Sequence, residues 1–285
     1  MAWTTPAELA PATCGFVLAC TGAKYTTAAL QCARTLKETN PGFAVDIFTD
    51  QEIDSPHIDQ VHELTDSWFR PKFESLINSR FDRTIYIDAD TYVVADLSDV
   101  FWLLGKHDIA ACHAAGRNQG FARIHWHYPL PNAFPQINGG MMGVRRSEAT
   151  QRLFKSIVEG MKRDNSGGDQ PIIREMLWES DLRLAILPPE YNARNTTLWR
   201  YGGSKFTAPR ILHHSGFVKR IKDEKTPIAP EEIYGSRLTK HFRRLIAADR
   251  SLNPKAQGKV PAPQFNNIFV RARDGLAGLL KGKKS

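Results

Sequence analysis

Cysteine is scarce in this sequence: Cys14, Cys20, Cys32 and Cys112 are its four thiols among 285 residues, and no two stand in a Cys-x-x-Cys spacing. Thiolate metal clusters and a disulfide framework are therefore not expected, and a reducing compartment fits best. No run approaches the ~18–20 apolar residues that a membrane-spanning helix requires, and the opening residues lack the basic-then-apolar layout of a signal peptide. The expectation is a cytoplasmic chain, with attachment to the inner face of a membrane left open. Also missing are an internal repeat, any nucleic-acid-binding motif, and a Gly-x-Gly-x-x-Gly after the first apolar run. The last absence argues against a dinucleotide site.

What is present is enough apolar residue for a sizeable core, 42% of the chain, and a basic balance of 38 Lys and Arg against 30 Asp and Glu. The resulting +8 favours anionic partners such as diphosphates or acidic lipid surfaces. Nucleic acid is not expected, since charge is its only support.

Residues 15–20 read as a short buried strand and 26–39 as a helix with Ala29, Cys32, Ala33 and Leu36 on one face. Asn40-Pro41-Gly42 breaks that helix, and 43–48 form a second apolar strand, giving a β-α-β unit of the kind that binds nucleotides at strand ends. A helix over 72–79 precedes a strand over 83–87, which runs into Asp88-Ala89-Asp90, and a short helix follows with Ser98 as its N-cap. Residues 116–136 lack periodicity and read as a functional loop. A strand over 141–144, helices over 147–163 and from Ser166-Gly167-Gly168-Asp169-Gln170-Pro171 through 178, and strands over 184–187 and 210–213 complete the pattern. Such alternation predicts an α/β fold on a mostly parallel central sheet. The composition changes near Asp223, which divides the chain into a catalytic domain, 1–222, and a basic C-terminal helical or irregular appendage, 223–285, with helical pieces near 231–249 and 267–280.

The chemistry concentrates first at Asp88 and Asp90. Carboxylates at i and i+2 of an extended segment project to one side, and their hard oxygens suit Mg²⁺ or Mn²⁺ while leaving room for phosphate oxygens. Taken alone, Asp-x-Asp is a common pattern, and two solvated acids in a turn explain it equally well.

The surroundings decide between these readings. Lys72, the run Phe81-Asp82-Arg83-Thr84-Ile85-Tyr86-Ile87-Asp88-Ala89-Asp90-Thr91 and Asp96-Leu97-Ser98-Asp99-Val100-Phe101 together closely resemble the core of the glycogenin and bacterial lipopolysaccharide galactosyltransferase family. Cys20-Thr21-x-x-x-Tyr25 is similar to that family's uridine-binding first loop, and Lys72 precedes Asp88 by sixteen residues, as a basic residue does there. Asn138-Gly139-Gly140, Asp169-Gln170 and His213-His214-Ser215-Gly216-Phe217-Val218-Lys219 match further motifs in family order. The resemblance covers residues 15–219.

It implies a GT-A, Rossmann-like fold and retaining transfer of a hexose or N-acetylhexosamine from a UDP-sugar to a carbohydrate, lipid-linked glycan or lipopolysaccharide acceptor. It implies a Mn²⁺ or Mg²⁺ ion held by Asp88, Asp90 and His213, with Cys20, Thr21, Tyr25, Lys72, Asp88, Ala89, Asp90, Asn138, Gly139, Gly216 and Lys219 around the donor. Asp169 and Gln170 would face the sugar and its anomeric carbon. Each residue has a plainer reading: Lys72 a surface lysine, Tyr25 core packing, Asn138 the closing of a turn, Asp169 a helix cap. His214 competes with His213, and spacing to Gly216 favours His213.

Arg117, His125, Trp126, His127 and Tyr128 either hold sugar or line an exposed loop, with His125-x-His127 a weak second metal candidate. The tail around Arg271, Arg273, Lys281, Lys283 and Lys284 could lie on an anionic membrane surface, or be a solvated helix or disordered end. Nothing marks a self-glycosylated tyrosine, so glycogen priming is not expected. The alternative function is a non-catalytic nucleotide-sugar or polyanion-binding protein of the same fold; intact Asp88, Asp90, His213 and Lys219 argue against it.

Overall fold

A computed structural model of the chain describes residues 13–65, 70–114, 116–118, 120–202, 206–223, 226–256 and 260. The basic tail and the helix expected at 267–280 lie outside the described residues. In chain order the elements are β1 (Cys14–Cys20), α1 (Ala23–Thr39), β2 (Ala44–Thr49), β3 (Gln60–Glu63), α2 (Pro71–Asn78), β4 (Arg83–Ile87), β5 (Thr91–Val93), α3 (Asp99–Leu103) and β6 (Ile109–His113). They continue with β7 (Ile137–Arg145), α4 (Glu148–Arg163), α5 (Gln170–Trp178), β8 (Leu184–Leu187), α6 (Thr197–Gly202), β9 (Ile211–His213), α7 (Gly216–Lys219), α8 (Pro230–Tyr234) and α9 (Ser236–Ala248). Short 3-10 turns lie at Gly120–Arg123 and Pro189–Asn192.

Seven strands form the central sheet in the order β3-β2-β1-β4-β7-β6-β8, while β5 and β9 pair as a separate ribbon. Four of the central neighbours run parallel, and β7 runs antiparallel to both β4 and β6. The sheet is covered on both faces, which is why β1 reads as an unbroken apolar run: Phe16, Leu18 and Cys20 enter one core cluster and Val17 and Ala19 the other. Strand order reverses between β1 and β4. In open α/β sheets the crevice beyond the strand ends at such a reversal is where ligands bind.

Several boundaries differ from expectation. Helix α1 begins three residues earlier than the expected start at 26, because Gly22 at φ 74 turns the chain out of β1 and Thr26 closes the first turn on the Gly22 carbonyl. Ser98 stands at the start of α3, but its hydroxyl donates to Asp96 at 2.8 Å, so no side-chain cap forms. Ser147, by contrast, caps α4 through the Thr150 N–H. Asn138-Gly139-Gly140 is a stretch of β7 and not a turn, beside a register shift against β6 at Ala111/Cys112. The composition change near Asp223 marks no break in packing, since Ile228, Leu238, Phe242 and Leu245 enter the same core cluster as β1 and β4. No helix among the described residues is long and apolar enough to cross a membrane.

Candidate active site

Strand β4 delivers Asp88 at its carboxyl end. The Asp88 N–H donates to the Gly140 carbonyl at 2.9 Å and the Thr91 hydroxyl donates to the Asp88 carbonyl at 2.8 Å, so β7 and β5 hold the backbone here from two sides. The Tyr86 hydroxyl donates to Asp88 Oδ1 at 2.7 Å. Burial, followed by the charge of Asp88, pushes the Tyr86 phenol well up, which keeps its proton available for that bond.

A tight turn through Ala89 and Asp90 leads into β5, and β5 pairs with β9 in the register Thr91↔His213. The His214 N–H donates to the Asp90 carbonyl at 3.0 Å. This ribbon carries the imidazole across from a segment more than a hundred residues away. His213 Nε2 lies 3.1 Å from Asp90 Oδ1, and ligand atoms of Asp88, Asp90 and His213 lie within 4.8 Å of one another.

His213 is buried, its side chain 1% exposed, and Gly140 is what admits it: a Cβ there would lie 2.3 Å from His213 Cε1. Asn192 Oδ1 meets Nδ1 at 2.7 Å, and Arg194 Nη1 lies 3.1 Å from Nε2. Burial pulls the Asp90 carboxyl upward, but the His213 contact and the Arg194 charge outweigh it and hold Asp90 below the usual carboxylate value.

Two carboxylates and an imidazole are a chemically suitable set for a divalent cation. Their oxygens are hard donors and the nitrogen is borderline. His214 is not part of the set. Its Nδ1 accepts from the Gly216 N–H at 2.9 Å and its ring meets Tyr234 edge-on.

The second feature is a buried ion pair between Lys72 Nζ and Asp169 Oδ2 at 2.8 Å, with side chains 9% and 8% exposed. Asp169 sits at the cap position of α5 yet makes no cap bond. Burial works against both charges, raising the acid and lowering the base, but the mutual attraction prevails: Asp169 is held below its usual value, and Lys72, also drawn by Asp88, above its own. Gly139 makes space for this pair as Gly140 does for the imidazole, since a Cβ on Gly139 would stand 2.8 Å from Lys72 Nζ. Gln170 is half-buried and accepts from Gln136 at 3.3 Å.

Around the first loop, Cys20 is buried against Thr26, and burial pushes its thiol up, so it presents no thiolate. Tyr25 is 54% exposed at the start of α1. The Gly22 N–H donates to Asp50 Oδ1 at 2.8 Å, lowering Asp50 and tying the ends of β1 and β2 together. Thr21 is half-buried and Ala89 buried; Lys219 is exposed at the end of α7, where its carbonyl accepts from Lys24 Nζ at 3.1 Å.

The loop between β6 and β7 is clamped to α4 and α5. Trp126 Nε1 donates to Asp164 at 2.6 Å, the His127 N–H donates to Glu175 at 2.9 Å, and Arg174 Nη2 donates to the Pro131 and Phe134 carbonyls at 2.7 and 2.8 Å. His127 Nδ1 and the Tyr128 hydroxyl are thereby committed to Glu175 and Glu179. Tyr86, Asn192 and Arg194 are neighbours of Asp88 and His213 that sequence reasoning missed. Tyr86 alone carried a signal, two residues before Asp88 on the same face of β4.

The sequence profile of the nucleotide-diphospho-sugar transferases matches residues 66–223, more than half of the chain. No curated protein matches it by sequence. Among solved structures, the glycosyltransferase GlyE of Streptococcus pneumoniae TIGR4 is similar at TM-score 0.51 and 18% identity, over 88% of this chain and 65% of that one. Its apo form is similar at TM-score 0.51 and 16% identity, over 81% and 60%. The bifunctional glycosyltransferase WbbM, in its apo structure, is similar at TM-score 0.50 and 14% identity, over 72% and 46%. This chain thus spans less than two thirds of the length of each, and at these identities the likeness concerns the fold.

Proposed function

We infer that this chain, which belongs to the nucleotide-diphospho-sugar transferase family, transfers a hexose or N-acetylhexosamine from a UDP-sugar to a glycan or glycolipid acceptor, with a divalent cation and with retention of configuration. The observation that carries this reading is the convergence of Asp88, Asp90 and His213 beyond β4, inside the matched region. These three would hold the cation, and Mn²⁺ suits a set containing an imidazole nitrogen better than Mg²⁺ does. Bound there, the cation supplies positive charge against the negative charge that develops on a departing nucleoside diphosphate.

The remaining roles fall to the chain's own groups. Lys219, exposed on α7, pairs with a phosphate; Gly216, whose own Cβ would meet Ile233 at 2.7 Å, keeps α7 close to the rest of the fold. Cys20 and Thr21 shape the strand end with backbone, Tyr25 offers an aromatic face to the base, and Asn138, Gly139 and Ala89 line the donor. Lys72 keeps Asp169 ionised, so that Asp169 and Gln170 present negative and polar oxygen to the sugar.

UDP-sugar hydrolysis across a panel of donors, with Mn²⁺ and with chelator, tests this directly. At least one donor is expected to turn over in a Mn²⁺-dependent way. No turnover of any donor, or turnover indifferent to chelation, overturns the reading; tight donor binding without turnover favours a non-catalytic nucleotide-sugar-binding protein.

A lipid-borne acceptor accords with the basic tail at Arg271, Arg273, Lys281, Lys283 and Lys284. The full chain is expected to bind vesicles containing anionic phospholipid at low salt, and a chain ending at Lys255 to bind them more weakly. Equal binding of the two removes the membrane role.

A further inference from the structure

We propose that Asn192 is a positioning residue that holds a proton on His213 Nδ1 and so turns the bare Nε2 toward Asp90 as the third ligand. The proposal rests on the reading of Asp88, Asp90 and His213 as a cation site and deepens it.

The argument begins at a backbone N–H, whose direction is not adjustable. The Gly140 N–H donates to Asn138 Oδ1 at 3.0 Å, which fixes which end of the Asn138 amide is oxygen. Asn192 Nδ2 stands 3.2 Å from that same oxygen. Since an amide oxygen only accepts, the Asn192 amide must point its nitrogen there and its own oxygen the other way. That oxygen lies 2.7 Å from His213 Nδ1. Facing an acceptor that cannot donate, Nδ1 must carry hydrogen.

The opposite ring nitrogen gives an independent check. Arg194 Nη1 approaches Nε2 at 3.1 Å, and a guanidinium has donors only, so it finds a partner at Nε2 when that nitrogen has its lone pair free. Asn192 and Arg194 therefore favour the same tautomer, from opposite sides of the ring, against Asp90 Oδ1, which at 3.1 Å from Nε2 would take a proton there.

Without Asn192, an acceptor still facing the ring is Asp90 Oδ1, 3.1 Å from Nε2. A neutral imidazole would then place its hydrogen on Nε2, between the two atoms that must both bind the cation. Asn192 blocks that arrangement. It is itself well placed to do so: it is 7% exposed at the end of the Pro189–Asn192 turn, and the next residue, Ala193, bridges to Leu212 on β9. Outer partners that fix the tautomer of a ligating histidine typically contribute about 10–100-fold to metal affinity.

The test compares the whole wild-type chain with Asn192→Leu and Asn192→Asp. Mn²⁺ alone is titrated calorimetrically, and the ring-nitrogen NMR signals of His213 are read without metal; thermal melting verifies folding. Asn192→Leu is expected to lower Mn²⁺ affinity by about 10–100-fold and to move the Nδ1 signal toward that of an unprotonated nitrogen. Asn192→Asp, which keeps an acceptor oxygen for Nδ1 but sets an oxygen where Nδ2 meets Asn138 Oδ1, is expected to retain the Nδ1 proton. Should the leucine variant fail to fold, Asn192→Ala, which also lacks the acceptor, replaces it. Unchanged Nδ1 protonation and unchanged affinity in the leucine or alanine variant overturn the proposal, as does loss of the Nδ1 proton in the aspartate variant. A wild-type chain that binds no Mn²⁺ while its Nδ1 signal responds to Asn192→Leu removes the cation site and leaves Asn192's control of the tautomer standing.

Discussion

Asp90→Asn is expected to lower UDP-sugar turnover by about 10²–10³-fold, the scale of removing one preorganised electrostatic partner from a reacting site. The change keeps the shape of the side chain and removes one full negative charge and one hard oxygen donor. Asp90 is the carboxylate in direct contact with His213, at 3.1 Å, and its pKa is held below the usual value, so it is ionised throughout the neutral range. Asparagine cannot supply that charge at any pH. Initial rates measured over a Mn²⁺ titration check the expectation. Loss that is recovered by excess Mn²⁺ indicates weakened ion affinity; full activity at ordinary Mn²⁺ removes Asp90 from the site.

The Lys72–Asp169 pair should produce the largest effect on stability. Asp169→Asn leaves a buried ammonium without its main partner, and breaking a buried pair in this way costs about 3–5 kcal/mol. Attraction of Lys72 to Asp88 offsets part of this, which places the expected cost near the lower figure. At about 2–4 °C per kcal/mol, the melting temperature should fall by roughly 10 °C. The double change Lys72→Met with Asp169→Leu should recover most of that stability, since a well-packed apolar pair replaces a desolvated ionic one. It should recover no turnover. A double variant that is active assigns the pair to packing alone.

The same pair gives a signed pH dependence. The folded pKa of Asp169 is below its ordinary 3.8, so in the acid limb the unfolded chain binds more protons and stability falls as pH drops through the folded value. Lys72 is raised above its ordinary 10.5, so its share of the stability is fully present below 10.5 and is lost as pH rises through the folded value. Chemical unfolding across both limbs should show these losses in the wild type and lack them in the double variant.

Much of this site is written along single segments. Residues 83–90 carry a strand that ends in two carboxylates, and an alternating or continuous apolar pattern is a local property that survives without knowledge of the partner strand. The α/β class and the crossovers from β1 through α1 to β2 follow for the same reason. Positions 138–140 show the limit of local reading. Asn-Gly-Gly has turn composition, yet it runs straight through β7, because the glycines answer to the imidazole and the ammonium that approach them from elsewhere. Nor does the aromatic loop at 126–128 declare from its composition that Asp164, Glu175 and Glu179 hold its polar groups.

What the amino-acid sequence by itself determined is a set of local segments: the strand that presents Asp88 and Asp90, the Asp169-Gln170 pair before α5, and the His213 to Lys219 segment. What only the tertiary structure decided is how these meet. Pairing of β5 with β9 brings His213 to Asp90, burial commits Lys72 to Asp169, and a relay of two amides orients the ring. The division has a physical cause. Strand and helix patterns arise from neighbours along the chain, whereas ligand geometry, paired charges and a histidine tautomer arise from contacts between segments that only the folded packing brings together.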